Sequence, residues 1–148
     1  MRSEQVPLQS EFDMVAAYLR VMQARMGPRL CYALDLPAEF THAMIPSMIL
    51  LTLAENAIKH GIEPSLRGGE IHVSAEQIDG MLRLRVHDTG VGLPESGAHS
   101  VPGDGLGLEN VRSRLLLSHP CASLTLRSGE ENGVIADILL PMTKESST

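Results

Sequence analysis

Residues 53–62 read LAENAIKHGI, a segment that begins as a buried helix and ends in four chemically different polar groups. At about 100° per residue, these groups fall on one arc of roughly 140°, which is apolar one turn earlier. The arc contains Thr52, Glu55, Asn56, Lys59 and His60. A helix that merely emerges into solvent explains the two basic residues equally well, because cations suit a helix C-terminus. It explains the carboxylate and the amide less well, so the local polar face indicates a site.

The helix that carries this segment is predicted to begin near Pro46, which suits a first-turn position, and to end at Gly61, which suits a C-terminal cap. Its first half is apolar nearly all round, as in helices that are covered on both sides. Upstream, apolar residues at helical spacing predict a first helix over 10–26, stopped by the Gly-Pro pair that follows it. Residues 30–36, LCYALDL, then predict a strand.

Downstream, residues 70–77 and 81–88 alternate apolar and polar side chains across the turn Asp79-Gly80. This pattern is typical of a hairpin with one wet face. The core-facing residues would be Ile71, Val73, Ala75, Leu82, Leu84 and Val86. The remaining predicted elements are a helix over 108–119, with Val111, Leu115 and Leu116 inward, and two closing strands over 122–128 and 134–141.

In chain order, the elements are helix, strand, helix, two strands, a glycine-rich loop, helix and two strands. This order predicts an α/β two-layer sandwich, in which a mixed sheet of about five strands carries helices on one face. The chain has 148 residues and a hydrophobic content of 43%. We therefore expect a single domain over 1–148, excised from a longer chain, with a polar tail over 143–148.

Composition excludes some partners and favours others. A net charge of −6 without a dense Lys or Arg cluster gives no reason to bind nucleic acid or an anionic membrane. Cys31 and Cys121 match no metal-ligand spacing, and we interpret them as buried, reduced thiols of a cytosolic domain. The longest apolar run, MILLTLA, is far below the roughly 18 residues of a membrane span. A small molecule or another protein is the expected partner.

An acidic residue ends the second hairpin strand and is followed by two spaced glycines, in the order Asp88-Thr89-Gly90-Val91-Gly92. The carboxylate can accept a hydrogen bond from a ligand amine, and the glycines let the backbone approach a flat ring closely. An ordinary turn that begins with Asp explains the same residues, and for this segment alone it is the better explanation.

Residues 89–107 contain six of the 13 glycines of the chain and predict a long loop. Its end, Gly103-Asp104-Gly105-Leu106-Gly107-Leu108, runs directly into a helix, whose free backbone N–H groups suit phosphate oxygens. The Walker pattern G-x-x-x-x-G-K-[ST] is absent. The loop also does not follow the first strand of a β-α-β unit, as a dinucleotide-binding loop should.

Together and in this order, the three segments resemble one family. ENAIKHG resembles the N box, DTGVG the first glycine box and GDGLGLENVRSRL the second glycine box of the GHKL, or Bergerat-fold, ATP-binding domain. Histidine kinases, gyrase, Hsp90 and MutL share this domain. The IPSMILLTLAENAIKHG helix and the closing GVIADILLP strand are similar to the LytS type of sensor histidine kinase. The resemblance covers most of the chain and implies that residues 89–107 form an ATP lid.

The resemblance also implies a role for each residue of the site. Asn56 would hold a Mg²⁺ ion that bridges the ATP phosphates, since an amide oxygen is a suitable hard ligand. Lys59 and His60 would lie near the phosphates, and Asp88 would accept a hydrogen bond from the adenine amino group. The ATP-binding residues would be completed by Gly90 and Gly92 in the pocket and by Gly105, Leu106, Gly107 and Leu108 at the lid.

The residues before the asparagine favour a kinase over an ATP-driven clamp. In the gyrase and Hsp90 branches, a glutamate four residues before the asparagine activates water, and that position is Thr52 here. Glu55 instead precedes Asn56 directly, similar to histidine kinases, where it would act as a base or orienting partner for an incoming imidazole. None of the six histidines lies in an INPHFLFN-like segment. We therefore expect phosphoryl transfer to a histidine of a separate domain, and no autophosphorylation by this chain alone.

The partners implied by this interpretation are ATP, an upstream dimerisation and phosphoacceptor domain and, indirectly, a response regulator. We expect the domain in the cytoplasm, without direct membrane contact, as part of a homodimer whose other segments could include a membrane anchor.

Two alternatives remain open. An anti-sigma-type serine kinase uses the same fold and similar boxes, and a catalytically inactive module could use nucleotide to regulate a partner. Many relatives have Gly-Thr at the position of Gly133-Val134, and the threonine hydroxyl often supports the adenine site. Val134 has no hydroxyl, which keeps the inactive module open.

Overall fold

A computed structural model describes residues 4–92, 106–129 and 132–142 of the chain. Its α-helices are α1 (Leu8–Met26), α2 (Ile49–Asn56) and α3 (Leu106–Ser118). Its strands are β1 (Gln5–Pro7), β2 (Leu30–Asp35), β3 (Met44–Pro46), β4 (Gly69–Ile78), β5 (Met81–Asp88), β6 (Ser123–Ser128) and β7 (Val134–Pro141). Two short 3₁₀ turns, Gly27–Arg29 and Ala38–Phe40, and one π-helical turn, Ala57–Ile62, complete the described elements.

The main sheet has five strands in the order β2-β4-β5-β7-β6. The β2–β4 pair is parallel and the other three pairs are antiparallel, so the sheet is mixed. The apolar residues of all three helices pack into one core with one face of this sheet. The predicted two-layer α/β sandwich is therefore confirmed. The sequence did not predict a second, two-stranded sheet, in which β1 pairs with β3.

The central hairpin has the predicted two faces. The six apolar residues predicted to face the core are all buried, and they alternate with polar residues along β4 and β5. The opposite face carries ion pairs, in which Arg85 binds Asp137 at 2.7 and 3.0 Å and Arg83 binds Glu76. Asp79 and Gly80 both have positive φ at the turn, as a two-residue hairpin loop requires.

Helix α2 differs from its prediction at both ends. It begins at Ile49, because Pro46 belongs to β3 and Met48 adopts a left-handed conformation, with a φ of 70°, that cannot be part of the helix. Gly61 is not a C-terminal cap, since the helical path continues through it as a π turn. The N–H of Glu63 donates to the carbonyl of Ile58, five residues back, at 2.8 Å. This wider turn carries the polar residues that follow Asn56.

The predictions for α3 and the lid have mixed outcomes. Val111 and Leu115 are buried as predicted, but Leu116 is 47% exposed, so its inward assignment was wrong. Residues 93–105 of the predicted lid, including Gly105, lie outside the described residues, and so does the polar tail. Among the described residues, no helix combines the length and the apolar character needed to cross a membrane. The single-domain assignment of 1–148 stays a prediction.

The two cysteines are exposed, so the expectation that they are buried was wrong. Cys31 lies on the face of β2 opposite the buried Leu30, and Cys121 lies in the turn between α3 and β6.

Candidate functional site

The candidate site forms where the helical segment after α2 crosses the end of β5. Asp88, the last residue of β5, is 3% exposed although it carries a carboxyl group. It faces Gly61 of the π turn, where a Cβ atom would lie only 2.7 Å from Asp88 Oδ1. The carboxyl group therefore occupies space that any other residue at position 61 would fill.

The segment after β5 also contacts Gly61 closely. A Cβ atom at Gly90 would lie 2.0 Å from the Gly61 carbonyl oxygen, and the N–H of Val91 donates to that oxygen at 2.9 Å. On the far side, a Cβ atom at Gly133, where φ is +80°, would lie 2.0 Å from the Asp88 carbonyl oxygen. Three glycines thus bring three backbone segments together around Asp88.

The surroundings of Asp88 determine its charge. Burial raises the pKa of the Asp88 carboxyl group, while the N–H of Gly90, the charge of His87 and the N–H of Val134 lower it less. The Gly90 N–H donates to Oδ1 at 2.9 Å. A carboxylate has about four acceptor positions. The group can therefore accept a further hydrogen bond from a buried ligand amine.

The predicted polar face of α2 lies at the end of the same helical path. Glu55 and Lys59 are exposed, whereas Asn56 and His60 are partly buried. Asn56 Nδ2 donates to the carbonyl oxygen of Thr52 at 3.1 Å, which leaves the amide oxygen as the group that can serve a cation. Asn56 and Gly61 belong to one continuous helical path, so the amide lies about one and a half turns before the glycine that contacts Asp88.

The donor set fits a Mg²⁺ ion better than an ion held by protein alone. No group of three or more His, Cys, Asp or Glu side chains that could hold a metal occurs among the described residues. Mg²⁺ is commonly bound through one or two protein oxygens, with phosphates and waters completing its octahedral shell. A single amide oxygen at Asn56 is compatible with that arrangement.

Thr52 occupies the position at which a clamp-type relative would have a glutamate. Its hydroxyl donates to the carbonyl oxygen of Met48 at 2.8 Å, a bond within its own helix. A neutral hydroxyl is too weakly basic to deprotonate water, so Thr52 cannot replace a glutamate as a general base. The nearest carboxylate in sequence is Glu55, whose exposed side chain is accessible to a partner.

The predicted glycine residues are only partly covered by the structure. Gly92 has a φ of +90°, and a Cβ atom there would lie 3.3 Å from the backbone nitrogen of Gly133, so this glycine lies next to the start of β7. Leu106 and Gly107 open α3, and Leu108 packs partly buried against the core. The structure thus brings Gly61, Asp88, Gly90 and Gly92 together, while the contribution of the second glycine box stays a prediction.

The contacts of some site residues had no signal in the sequence. Gly61 looked like a helix cap, and only the fold shows that it contacts Asp88. Thr89 holds the segment onto β4, because its N–H donates to the Glu70 carbonyl at 3.0 Å and its hydroxyl accepts the Glu70 N–H at 2.9 Å. A threonine after an acidic residue is too common to indicate this bond pair.

Comparison with known proteins agrees with this geometry. The family described as histidine kinase-, DNA gyrase B-, and HSP90-like ATPase matches residues 43–144. The sensor histidine kinase YesM of Bacillus subtilis is 34% identical over 146 residues, which are 98% of this chain and 25% of YesM. The sensor protein LytS of Staphylococcus saprophyticus is 32% identical over 122 residues, 77% of this chain and 21% of LytS. The chain thus spans about a quarter or less of the length of these curated relatives.

A solved structure shows the same fold. The catalytic domain of the histidine kinase ThkA superposes with a TM-score of 0.73 at 19% identity, covering 97% of this chain and 99% of that one. The family match spans α2, the Asp88 segment and the closing strands of the sheet. The chain therefore belongs to the histidine kinase-, DNA gyrase B- and HSP90-like ATPase family.

Proposed function

We propose that this chain binds Mg·ATP and transfers the γ-phosphoryl group to a histidine of a separate acceptor domain, as the catalytic domain of a two-component sensor kinase. The observation that carries the proposal is the buried Asp88 carboxyl group, enclosed by Gly61, Gly90 and Gly133 at the end of the helical segment that bears Glu55 and Asn56. The names of YesM and LytS, both sensor proteins, support the histidine kinase branch of the family.

At the adenine end of the site, Asp88 would accept a hydrogen bond from the adenine amino group. A guanine ring presents a carbonyl oxygen at the corresponding position, and an ionised carboxylate repels such an acceptor. The site should therefore prefer ATP to GTP. Gly90 and Gly92 would admit the flat ring, since neither carries a side chain over it.

At the phosphate end, Asn56 would hold the cation, with Lys59 and His60 near the phosphate oxygens. Bound Mg²⁺ supplies neutralisation of the charge on the phosphates. Glu55 is exposed and would orient the acceptor imidazole and accept its proton or hydrogen bond. The imidazole nitrogen forms a bond to the γ-phosphorus as the bond to the bridging oxygen breaks, and ADP leaves with that oxygen.

The partners beyond ATP are part of the same proposal. The acceptor domain and the dimer interface would lie in segments of a longer protein, because the sensor kinase relatives are about four to five times the length of the matched region. The phosphorylated histidine would then pass its phosphoryl group to a response regulator. The domain itself would act in the cytoplasm, where ATP is available.

Calorimetry tests the nucleotide site. We expect the wild-type chain to bind ATP in the presence of Mg²⁺, and Asp88→Asn to weaken binding by about 10-fold or more, because hydrogen bonds to charged groups contribute about 1.5–3 kcal/mol. Asp79→Asn is the matched control, since it removes one exposed carboxylate at a turn where Asn is well tolerated. Absence of binding by the wild type at millimolar ATP would contradict an active domain.

Phosphotransfer tests the reaction. With γ-labelled ATP and the acceptor domain of a LytS-type kinase, we expect acid-labile phosphate on the acceptor. Glu55→Gln should abolish most transfer while ATP affinity stays the same, and the exposed Glu39→Gln should change neither. Acid-stable phosphoserine on a protein partner would instead support the anti-sigma-type serine kinase. Binding without transfer to any supplied acceptor would support the regulatory module that Val134 leaves open.

A further inference from the structure

Glu11 on α1 is a buried carboxylate that the proposed reaction does not use. Its side chain is 1% exposed, and both oxygens accept backbone hydrogen bonds. Oε2 accepts the N–H of Met48 at 2.8 Å and Oε1 accepts the N–H of Leu50 at 3.1 Å. Both amides belong to the start of α2, whose N-cap residue Met48 makes no side-chain capping bond. Glu11 therefore caps a helix that lies 37 residues further along the chain.

The start of α2 depends on this carboxylate for two physical reasons. Met48 has a φ of 70°, a left-handed conformation that is unfavourable for a residue with a long side chain, and the bond to Glu11 holds its N–H in place. A negative charge at a helix N-terminus also interacts favourably with the helix dipole. We therefore expect removal of the charge to destabilise the first turn of α2 more than the rest of the core.

A second contact holds α1 beside the far end of the α2 path. Arg25 forms an ion pair with Glu63 at 3.4 Å, just after the π turn. Glu11 and Arg25 lie fourteen positions apart on α1, four turns of one helix face, and their partners lie at the two ends of the segment that carries Glu55 and Asn56. The two helices therefore run in the same direction, with the polar residues of the site between the two contacts.

The part of the site around Asp88, which we propose binds adenine, is not held by the contacts with α1. Gly61 is tied to Val91 by a backbone hydrogen bond at 2.9 Å, which does not involve α1. Loss of the Glu11 contact should therefore shift Glu55 and Asn56 relative to Asp88 and leave the surroundings of Asp88 in place. A displacement of about 1 Å at groups that align a reaction can cost about 100-fold in rate.

We propose that Glu11 is a positioning residue for phosphoryl transfer: by capping α2 from α1, it sets the position of Glu55 and Asn56 relative to Asp88. The inference rests on the proposed function for its catalytic consequence, but the capping contact can be measured without it. Glu11 itself touches neither the nucleotide nor the acceptor in this account.

The test compares Glu11→Gln with Met22→Ala in the 148-residue chain. Met22 is a buried core residue of α1, so its truncation weakens the fold without removing the cap. Amide hydrogen exchange at Met48 and Leu50 should become at least about 10-fold faster in Glu11→Gln and no faster than at other α2 amides in Met22→Ala. Unchanged protection at these two amides in Glu11→Gln would overturn the capping role.

The effect of Glu11 on catalysis is tested by two measurements, at a temperature at which both variants are folded. These are the rate of phosphoryl transfer to the acceptor domain and the affinity for ADP without Mg²⁺. We expect kcat to fall about 10-fold or more in Glu11→Gln, with ADP affinity within about twofold of wild type. Glu11→Asp has one methylene fewer and cannot reach both amides. Its kcat should lie between those of the wild type and Glu11→Gln, and it replaces Glu11→Gln if that variant folds poorly. A loss of kcat in Met22→Ala as large as that in Glu11→Gln would overturn the positioning role. Parallel losses of kcat and ADP affinity in both Glu11 variants would overturn it as well. Absence of transfer by the wild type would refute the proposed function instead, while the exchange rates still decide the capping contact.

Discussion

At the scale of single residues, Gly61 controls the surroundings of Asp88 through the absence of a side chain. A methyl group there would lie 2.7 Å from Asp88 Oδ1, so Gly61→Ala is expected to displace the carboxyl group and weaken Mg·ATP binding by about 10-fold or more. Gly27→Ala is the matched control. It introduces backbone strain at a φ of +65° with open space around it and does not contact the site. Calorimetry on both variants checks the prediction, and wild-type affinity in Gly61→Ala would contradict it.

Residues of the site differ in how far sequence reasoning could reach them. Asp88 and Gly90 follow a strand in an order that resembles a known box, so a local pattern was enough to predict them. Gly61 and Gly133 are required to be glycine by contacts with Asp88, which is 27 and 45 positions away in the chain. Such contacts leave no local pattern. Val134 was noticed only through the resemblance, and the structure adds that its backbone N–H lowers the pKa of Asp88.

At the scale of elements, Tyr18 links α1 to the polar face of α2. Burial, and then the negative charges of Glu55 and Glu63, raise the pKa of Tyr18 from 10.0 to about 12, against a smaller opposing effect of Arg25. Because the folded pKa is raised, this phenol contributes stability that is complete below about pH 10 and is lost as the pH rises through about 12. Removal of the Glu55 charge should therefore bring the pKa of Tyr18 closer to 10.

Phenolate absorbance during an alkaline titration measures this pKa. Tyr32→Phe leaves Tyr18 as the one tyrosine of the chain, and Glu55→Gln is then compared with Glu39→Gln in that background. We expect a lower Tyr18 pKa in Glu55→Gln and an unchanged one in the exposed Glu39→Gln. An identical pKa in the two variants would show that the Glu55 carboxylate does not lie close enough to Tyr18 to raise its pKa.

The elements were predictable where their pattern is local. The β4–β5 hairpin was predicted correctly because alternation and a two-residue turn specify it within 20 residues. The start of α2 was not, because Pro46 pairs with Gln5 in a small sheet and the cap comes from Glu11 on another helix. The three-residue strands β1 and β3 are too short to show a period. Non-local bonds therefore account for the wrong start of α2 and for the missed small sheet, whereas the wrong end of α2 comes from the local π turn through Gly61.

At the scale of the whole molecule, a mixed sheet and one apolar core support a buried acidic residue at the sheet end. The core comprises apolar residues from all three helices and the five strands of the main sheet, so the fold tolerates the cost of burying this carboxyl group. Functional sites commonly retain groups that lower stability in the absence of ligand. Asp88 is such a group here, because burial disfavours its ionised form.

This cost predicts how the stability of the free domain depends on pH. The folded-state pKa of Asp88 lies above the ordinary aspartate value of 3.8, so its contribution to stability is complete below that value and is lost as the pH rises through the folded-state pKa. Asp88→Asn lacks this titration and shares all the others. The Tm of the wild type minus that of Asp88→Asn should therefore fall as the pH rises from about 4 to 7.

Thermal denaturation followed by circular dichroism, without nucleotide, gives the two Tm values at each pH. Asp79→Asn is again the control, because the exposed Asp79 should give a Tm difference from wild type that does not fall with pH. A Tm difference between wild type and Asp88→Asn that grows with pH would mean that the Gly90 and Val134 N–H groups outweigh burial. Asp88 would then stabilise the free domain, and the site would be preorganised for adenine at no cost to the fold.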